Sequence, residues 1–266
     1  MTGAVTAARV LRRPSAGWVP LVFTVALLGT AIAYPLTDGP ARNAVSWAIV
    51  LFGSAAAISH AAVSRGLRTG LGVLVLVAVV AVLFEALGLA TGFPYGSYTY
   101  SDVLGPMLLG VPFLVPLAWL MMAWPSWVAA RRLAPSSRPL RVLIAAYVFA
   151  VWDVVLDPQL VQAGYWRWAH PSPGLPGIDT VPLTNLAGWL FAGLVLMTAL
   201  DLLVARTARP GPPRAGDAAP LLILGWMVLG GALAHAGWLG LPGSAVWGVL
   251  LALPVVVALV VQQRRR

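Results

Sequence analysis

Eight stretches of this chain run for some 20 residues each with almost no charge, at about 17–36, 43–63, 70–90, 104–127, 140–157, 183–204, 219–239 and 243–262. A helix needs ~20 mostly apolar residues to cross a bilayer. The pattern therefore predicts an all-α integral membrane protein with about eight transmembrane helices, residues 1–266 forming a single polytopic membrane domain. Composition agrees, because only 9% of the 266 residues are charged, against roughly 25% in an ordinary soluble domain. A soluble fold of this length has no means of hiding so much apolar surface. Pro106, Pro112 and Pro116 interrupt the fourth stretch, which is expected to kink or start late. A tight turn near Leu241-Pro242-Gly243 separates the last two.

Charge placement gives an independent reading of topology. Arg9, Arg12 and Arg13 precede the first span, and Arg65 and Arg68 follow the second. Arg131, Arg132, Arg138 and Arg141 lie between the fourth and fifth, Arg206, Arg209 and Arg214 between the sixth and seventh, and Arg264, Arg265 and Arg266 after the eighth. With eight spans all of these share one face, and only Arg42 and Arg167 fall on the other. The positive-inside rule makes the rich face cytoplasmic, with both termini on it, and a multi-pass place in the plasma membrane is expected. The formal net charge of +9 is thus a topology signal, not a nucleic-acid footprint. A run ending in Ala31-Ile32-Ala33 loosely resembles a signal peptide, but it is long for one, and an uncleaved first helix is expected.

The absences narrow the chemistry. The chain has no Cys, which removes disulfides, thiolate nucleophiles and zinc–thiolate sites, and no Lys, which removes Schiff-base chemistry and a retinal-type pigment. His60, His170 and His235 have no ligand-spaced partners, so neither a metal nor another cofactor is expected. The bias toward Ala, Arg, Gly and Pro is that of a GC-rich bacterial genome.

The acids are as unevenly placed as the bases. Asp38, Glu85, Asp102, Asp153, Asp157 and Asp179 map to the outer half, leaving Asp201 and Asp217 on the cytoplasmic side. Asp38, Asp102 and Asp179 read as ordinary loop charges. Glu85 and Asp153 lie within apolar sequence, where ionisable groups are costly and mark function. Asp157, four residues after Asp153, shares its helix face and ends the fifth span before Pro158. The outer loops carry Tyr95, Tyr98, Tyr100, Trp166 and Trp168; such residues also form ordinary aromatic belts at membrane interfaces.

Taken together, Glu85-x-x-Gly88, Gly92-Phe93-Pro94-Tyr95-Gly96-x-Tyr98-x-Tyr100, Asp153-x-x-x-Asp157-Pro158, Gly164-x-Trp166-x-Trp168 and Val181-Pro182-Leu183-x-Asn185-x-x-Gly188-Trp189 resemble the membrane carotenoid hydratase family. The resemblance covers about residues 70–205; Asp179-Thr180 departs from it, where an aromatic–Gly pair is the family pattern. It implies addition of water across the terminal isopropylidene double bond of an acyclic C40 or C50 carotenoid, giving a tertiary alcohol. The partners implied are that carotenoid, water, the bilayer and other carotenoid biosynthesis enzymes.

Such a hydration needs a proton donor, a stabilised tertiary cation and a water. A carboxyl ionised at pH 7 cannot donate, but burial in an apolar wall disfavours the charged form. Glu85 is the expected general acid, with Asp153 or Asp157 orienting and deprotonating the water and Asn185 holding it. Tyr95, Tyr98, Tyr100, Trp166 and Trp168 offer aromatic faces to the cation. Two other classes compete. A prenyltransferase would use the paired aspartates to hold Mg²⁺ against a diphosphate, yet Arg42 and Arg167 are poor charge compensation. A lipid transporter would use buried acids as an ion path, and would return its cargo covalently unchanged.

Overall fold

A computed structural model describes residues 16–264 apart from 212 and 214. Arg9, Arg12, Arg13, Arg214, Arg265 and Arg266 of the charge pattern lie outside the described residues. The fold is a helical bundle, built from α1 (Val19–Ala33), α2 (Gly39–Arg65), α3 (Leu67–Thr91), α4 (Leu114–Leu133), α5 (Arg138–Gln162) and α6 (Leu183–Thr207). A seventh span, Ala218–Leu239, and a C-terminal helix, Pro242–Arg264, complete it. Among the described residues, seven helices are long and apolar enough to cross a membrane.

The expected fourth span is the exception. It starts late, at Leu114, because Pro106 and Pro112 sit in a loop with a short hairpin, β2 (Met107–Leu108) on β3 (Val111–Pro112). Three Trp, Pro116, Pro125 and the Arg131-Arg132 pair lower the hydropathy of α4. Those residues are tolerated because α4 sits inside the bundle against α2, α3 and α5, with every residue from Trp119 to Ala130 buried. Its wall is protein, so its side chains answer to packing and not to lipid. At 1.5 Å per residue it is about 30 Å long, a full hydrocarbon thickness.

Local chemistry sets the ends. Pro40 opens α2 and Pro139 opens α5, where the missing N–H costs nothing, and the Ser137 hydroxyl caps α5 by accepting from the Leu140 N–H. Gly66, at φ +112°, joins α2 to α3 in one residue, a conformation L side chains avoid. α5 corrects the expected boundary: it does not stop at Asp157 but passes through Pro158 to Gln162. Proline forfeits one backbone bond, and the helix resumes because Ala163 N–H reaches the Gln159 carbonyl and Tyr165 N–H that of Leu160. The seventh span carries two π-helical turns, Trp226–Gly230 and His235–Leu239.

The two outer loops are not simple turns. β1 (Tyr98–Tyr100) pairs antiparallel with β4 (Trp166–Trp168), Tyr98 opposite Trp168 and Tyr100 opposite Trp166. Side chains alternate along a strand, so the two Tyr and two Trp share one face, while Thr99 and Arg167 point outward and are exposed. This ribbon ties the α3–α4 loop to the α5–α6 loop over one end of the bundle.

Candidate active site

The acids of the Arg-rich end are structural. Asp201 takes a bidentate pair of bonds from Arg141 (2.6 and 3.0 Å), one from Arg138 (2.9 Å) and one from the Trp127 indole (3.0 Å). Asp217 is held by Arg132 at 2.8 Å and Arg131 at 3.4 Å. Two histidines, His60 at this end and His235 at the opposite one, are core packing too. His60 accepts at Nδ1 from Trp124 (2.9 Å), and His235 bonds Ser244 and Gln159. No cluster of metal-binding side chains occurs among the described residues.

The acids of the opposite end are different: among the described residues none of Glu85, Asp153 and Asp157 pairs with an Arg. Glu85, on α3, is 4% exposed and accepts three hydrogen bonds. Tyr98 and Tyr100 donate to Oε2 at 2.5 and 2.8 Å, and the Trp119 indole of α4 donates to Oε1 at 3.2 Å. The two phenols come from the same face of β1, which is why their two-residue spacing matters. Burial, then the neighbouring Glu85 carboxyl, push the Tyr98 and Tyr100 phenols well up, so they remain protonated donors.

Asp153 and Asp157 face α6 from one side of α5. The Asn185 amide nitrogen donates one hydrogen to each, at 2.7 Å to Asp153 and 2.5 Å to Asp157. The two carboxyls thus meet across one amide nitrogen. Tyr95 fills the space between α3 and α6, and two glycines make room for it. A Cβ at Gly88 would sit 3.0 Å from the Tyr95 ring, and one at Gly188 2.7 Å from both that ring and the Pro94 carbonyl. Gly88 is one turn beyond Glu85, and Gly188 one turn beyond Asn185. The two x-x-Gly motifs thus set a polar side chain beside the notch that seats the same tyrosine. The Trp168 indole and the Thr184 hydroxyl fix the Tyr95 carbonyl at 3.2 and 3.3 Å.

These residues close one end of a cavity of about 310 Å³. Glu85, Tyr95, Tyr98, Tyr100, Asp157, Trp166, Trp168 and Asn185 all line it; Asp153 alone of the expected site residues does not, lying behind Asn185. The remaining wall is largely apolar. Its exposed members are Ile32 of α1, Leu36 just beyond it, and Leu233 and Trp238 on the seventh span. Both elements are candidate membrane spans, so the mouth opens sideways toward lipid. Sequence reading missed three contributors: Trp119, Trp189 and the mouth. Trp119 had a signal, since a tryptophan in mid-span, away from the interfacial belt, has left its usual place. Trp189, inside a quoted motif, packs 5.0 Å from both Trp119 and Phe149. The mouth residues had none, because hydrophobicity does not say which face of a span meets a cavity.

A 121-residue segment is 36% identical to the bisanhydrobacterioruberin hydratase of Haloarcula japonica, a match spanning 44% of this chain and 40% of that protein. No solved structure matches the chain. The profile of the carotenoid biosynthesis proteins matches residues 45–255, most of the chain and all of the site residues expected from sequence, and the chain belongs to that family.

Proposed function

We propose that the protein is a carotenoid hydratase, adding water across the terminal isopropylidene C=C of an acyclic carotenoid to give a tertiary alcohol. The observation that carries this reading is a pair of carboxyls, Glu85 and Asp157, at one end of an apolar cavity with Asp153 behind them, none paired with Arg among the described residues, and with the cavity's exposed rim on two candidate membrane spans. An apolar cavity of about 150 Å³ holds one benzene. The cavity here therefore takes the isopropylidene end and a few carbons beyond it, and the polyene runs out through the mouth.

The geometry favours roles opposite to those expected from sequence. Two buried carboxyls on one amide nitrogen would set two like charges in one apolar site, which is costly, so one of them holds a proton. The Asp153–Asp157 pair is accordingly the acid. Glu85, with three donors directed at it, suits the carboxylate form and faces the developing cation. Asp157, the member of the pair in the cavity, protonates the CH carbon, leaving the charge on the tertiary carbon. Aromatic faces of Tyr95, Tyr98, Tyr100, Trp166 and Trp168 each stabilise it by ~0.5–2 kcal/mol. Water adds to that carbon and its proton returns to Asp157, so the site ends as it began.

A diphosphate substrate fits poorly. Arg167 points away from the site on β4, and Arg42 sits over the Tyr34 ring, 5.3 Å from its centre. With α4 counted as a crossing, we place the Arg-rich face and both termini in the cytoplasm and the site toward the outer leaflet of the plasma membrane. The deciding experiment is pigment analysis by liquid chromatography and mass spectrometry in cells that accumulate acyclic carotenoids. A gain of one water per end, lost in Asp157→Asn, is expected. No mass change with C40 and C50 substrates, the protein being inserted, would remove the hydratase reading.

A further inference from the structure

Asp153 belongs to a second hollow. With Val154 and Pro158 of α5 and Asn185 of α6 it walls a pocket of about 20 Å³, covered by Ile178 and Pro182 of the outer loop. About 10–15 Å³ suffices for one water, provided polar partners are present. They are. Asp153 is 1% exposed, and its Oδ1 accepts from no donor among the described residues. Asn185, the second polar side chain on the pocket wall, is fixed there by its amide nitrogen, which bonds both carboxyls. Among the residues lining the two hollows, Asn185 alone borders both.

The large cavity is a poor source of water, because its mouth is apolar, faces lipid and is filled by the polyene during reaction. The cover of the small pocket is one loop thick. Pro176, Gly177, Asp179 and Thr180 are exposed, with Ile178 turned inward as a buried plug. The loop's two ends are joined by Leu183 N–H to the Pro173 carbonyl (2.8 Å), and its middle is held by the Trp247 indole to the Pro176 carbonyl (3.0 Å).

We infer that the small pocket is a water site and that the reacting water enters through it from the aqueous phase over the Arg-poor face, while the carotenoid enters sideways from lipid. The inference rests on the hydratase reading. Water held by Asp153 and Asn185 passes the Asn185 side chain to reach the cation, and the pocket refills from outside.

The absence of cysteine makes the test clean. Ile178→Cys, and separately Val181→Cys on the same wall, are treated in intact cells with a membrane-impermeant cationic methanethiosulfonate. Each preparation is compared with itself before reagent, after it, and after a reductant removes the adduct. Hydration is expected to fall at least tenfold on modification and to return with reductant, with carotenoid co-purification unchanged and the wild type unaffected. Complete modification of both variants with hydration intact would overturn the route, as would failure of the external reagent to reach either cysteine. Absence of hydration by the untreated wild type would instead remove the hydratase reading, and the route with it.

Discussion

Glu85 and Asp157 are both buried carboxyls, yet their partners are of opposite kinds. Glu85 meets two phenols and an indole, all donors, whereas Asp157 meets another carboxyl across a shared amide. If the pair is the acid, activity is lost on the alkaline side as its proton leaves, and on the acid side as Glu85 gains one. Asp157→Asn should lower turnover ~10²–10⁴-fold, the usual worth of a general acid. Glu85→Gln should lower it ~10²–10³-fold and flatten the acid limb of the pH–rate profile. Flattening of the alkaline limb instead would return Glu85 to the role of acid. The phenols give a second prediction. Unfolded, a tyrosine titrates near ~10; folded, Tyr98 and Tyr100 titrate higher, chiefly through burial. Their contribution is whole below pH ~10 and is lost as pH rises beyond it, because the unfolded state ionises first. Melting temperature in detergent should therefore fall above pH ~10, and fall less steeply in Tyr98→Phe.

The elements show where sequence reading succeeds and where it stops. Spans are legible because lipid imposes length and apolarity on each helix separately, and Glu85 and Asp153 stand out against that background. α4 was legible only in part, since a helix enclosed by protein is released from the lipid rule. Tyr-x-Tyr and Trp-x-Trp carry the period of a strand, but nothing in either segment names the other as its partner. The continuation of α5 past Pro158 depends on loop bonds made beyond it. Gly188 was legible as a motif, not as a notch. A methyl group there meets a backbone carbonyl at 2.7 Å, which cannot rotate away, so Gly188→Ala should cost ~1–3 kcal/mol through overpacking. It should also displace Tyr95 and the Trp168 bond to it. The check is a lowered melting temperature together with lost hydration; an unaltered protein would mean that the loop does not seat Tyr95 as described.

At the scale of the whole molecule, the bundle sets a carboxyl pair beside an apolar cavity with a lateral mouth. The cavity, about 310 Å³, is roughly twice the size of one that holds a single benzene, so most of a long polyene stays in the membrane while one end reacts. The far end of the same molecule cannot reach Asp157 until the first has left. A substrate with two open ends must then be released after the first hydration and captured again by the other end. A time course should show the singly hydrated carotenoid rising before the doubly hydrated one, and free in the membrane instead of retained on the protein. Because only the end is read, C40 and C50 substrates should be hydrated at rates within a few-fold of each other. Leu233→Trp at the mouth should slow capture of both, lowering kcat/KM while leaving kcat less affected, since the carboxyl cluster is untouched. Doubly hydrated product appearing without a singly hydrated precursor would mean that a second site, on this chain or a neighbouring copy, takes the other end.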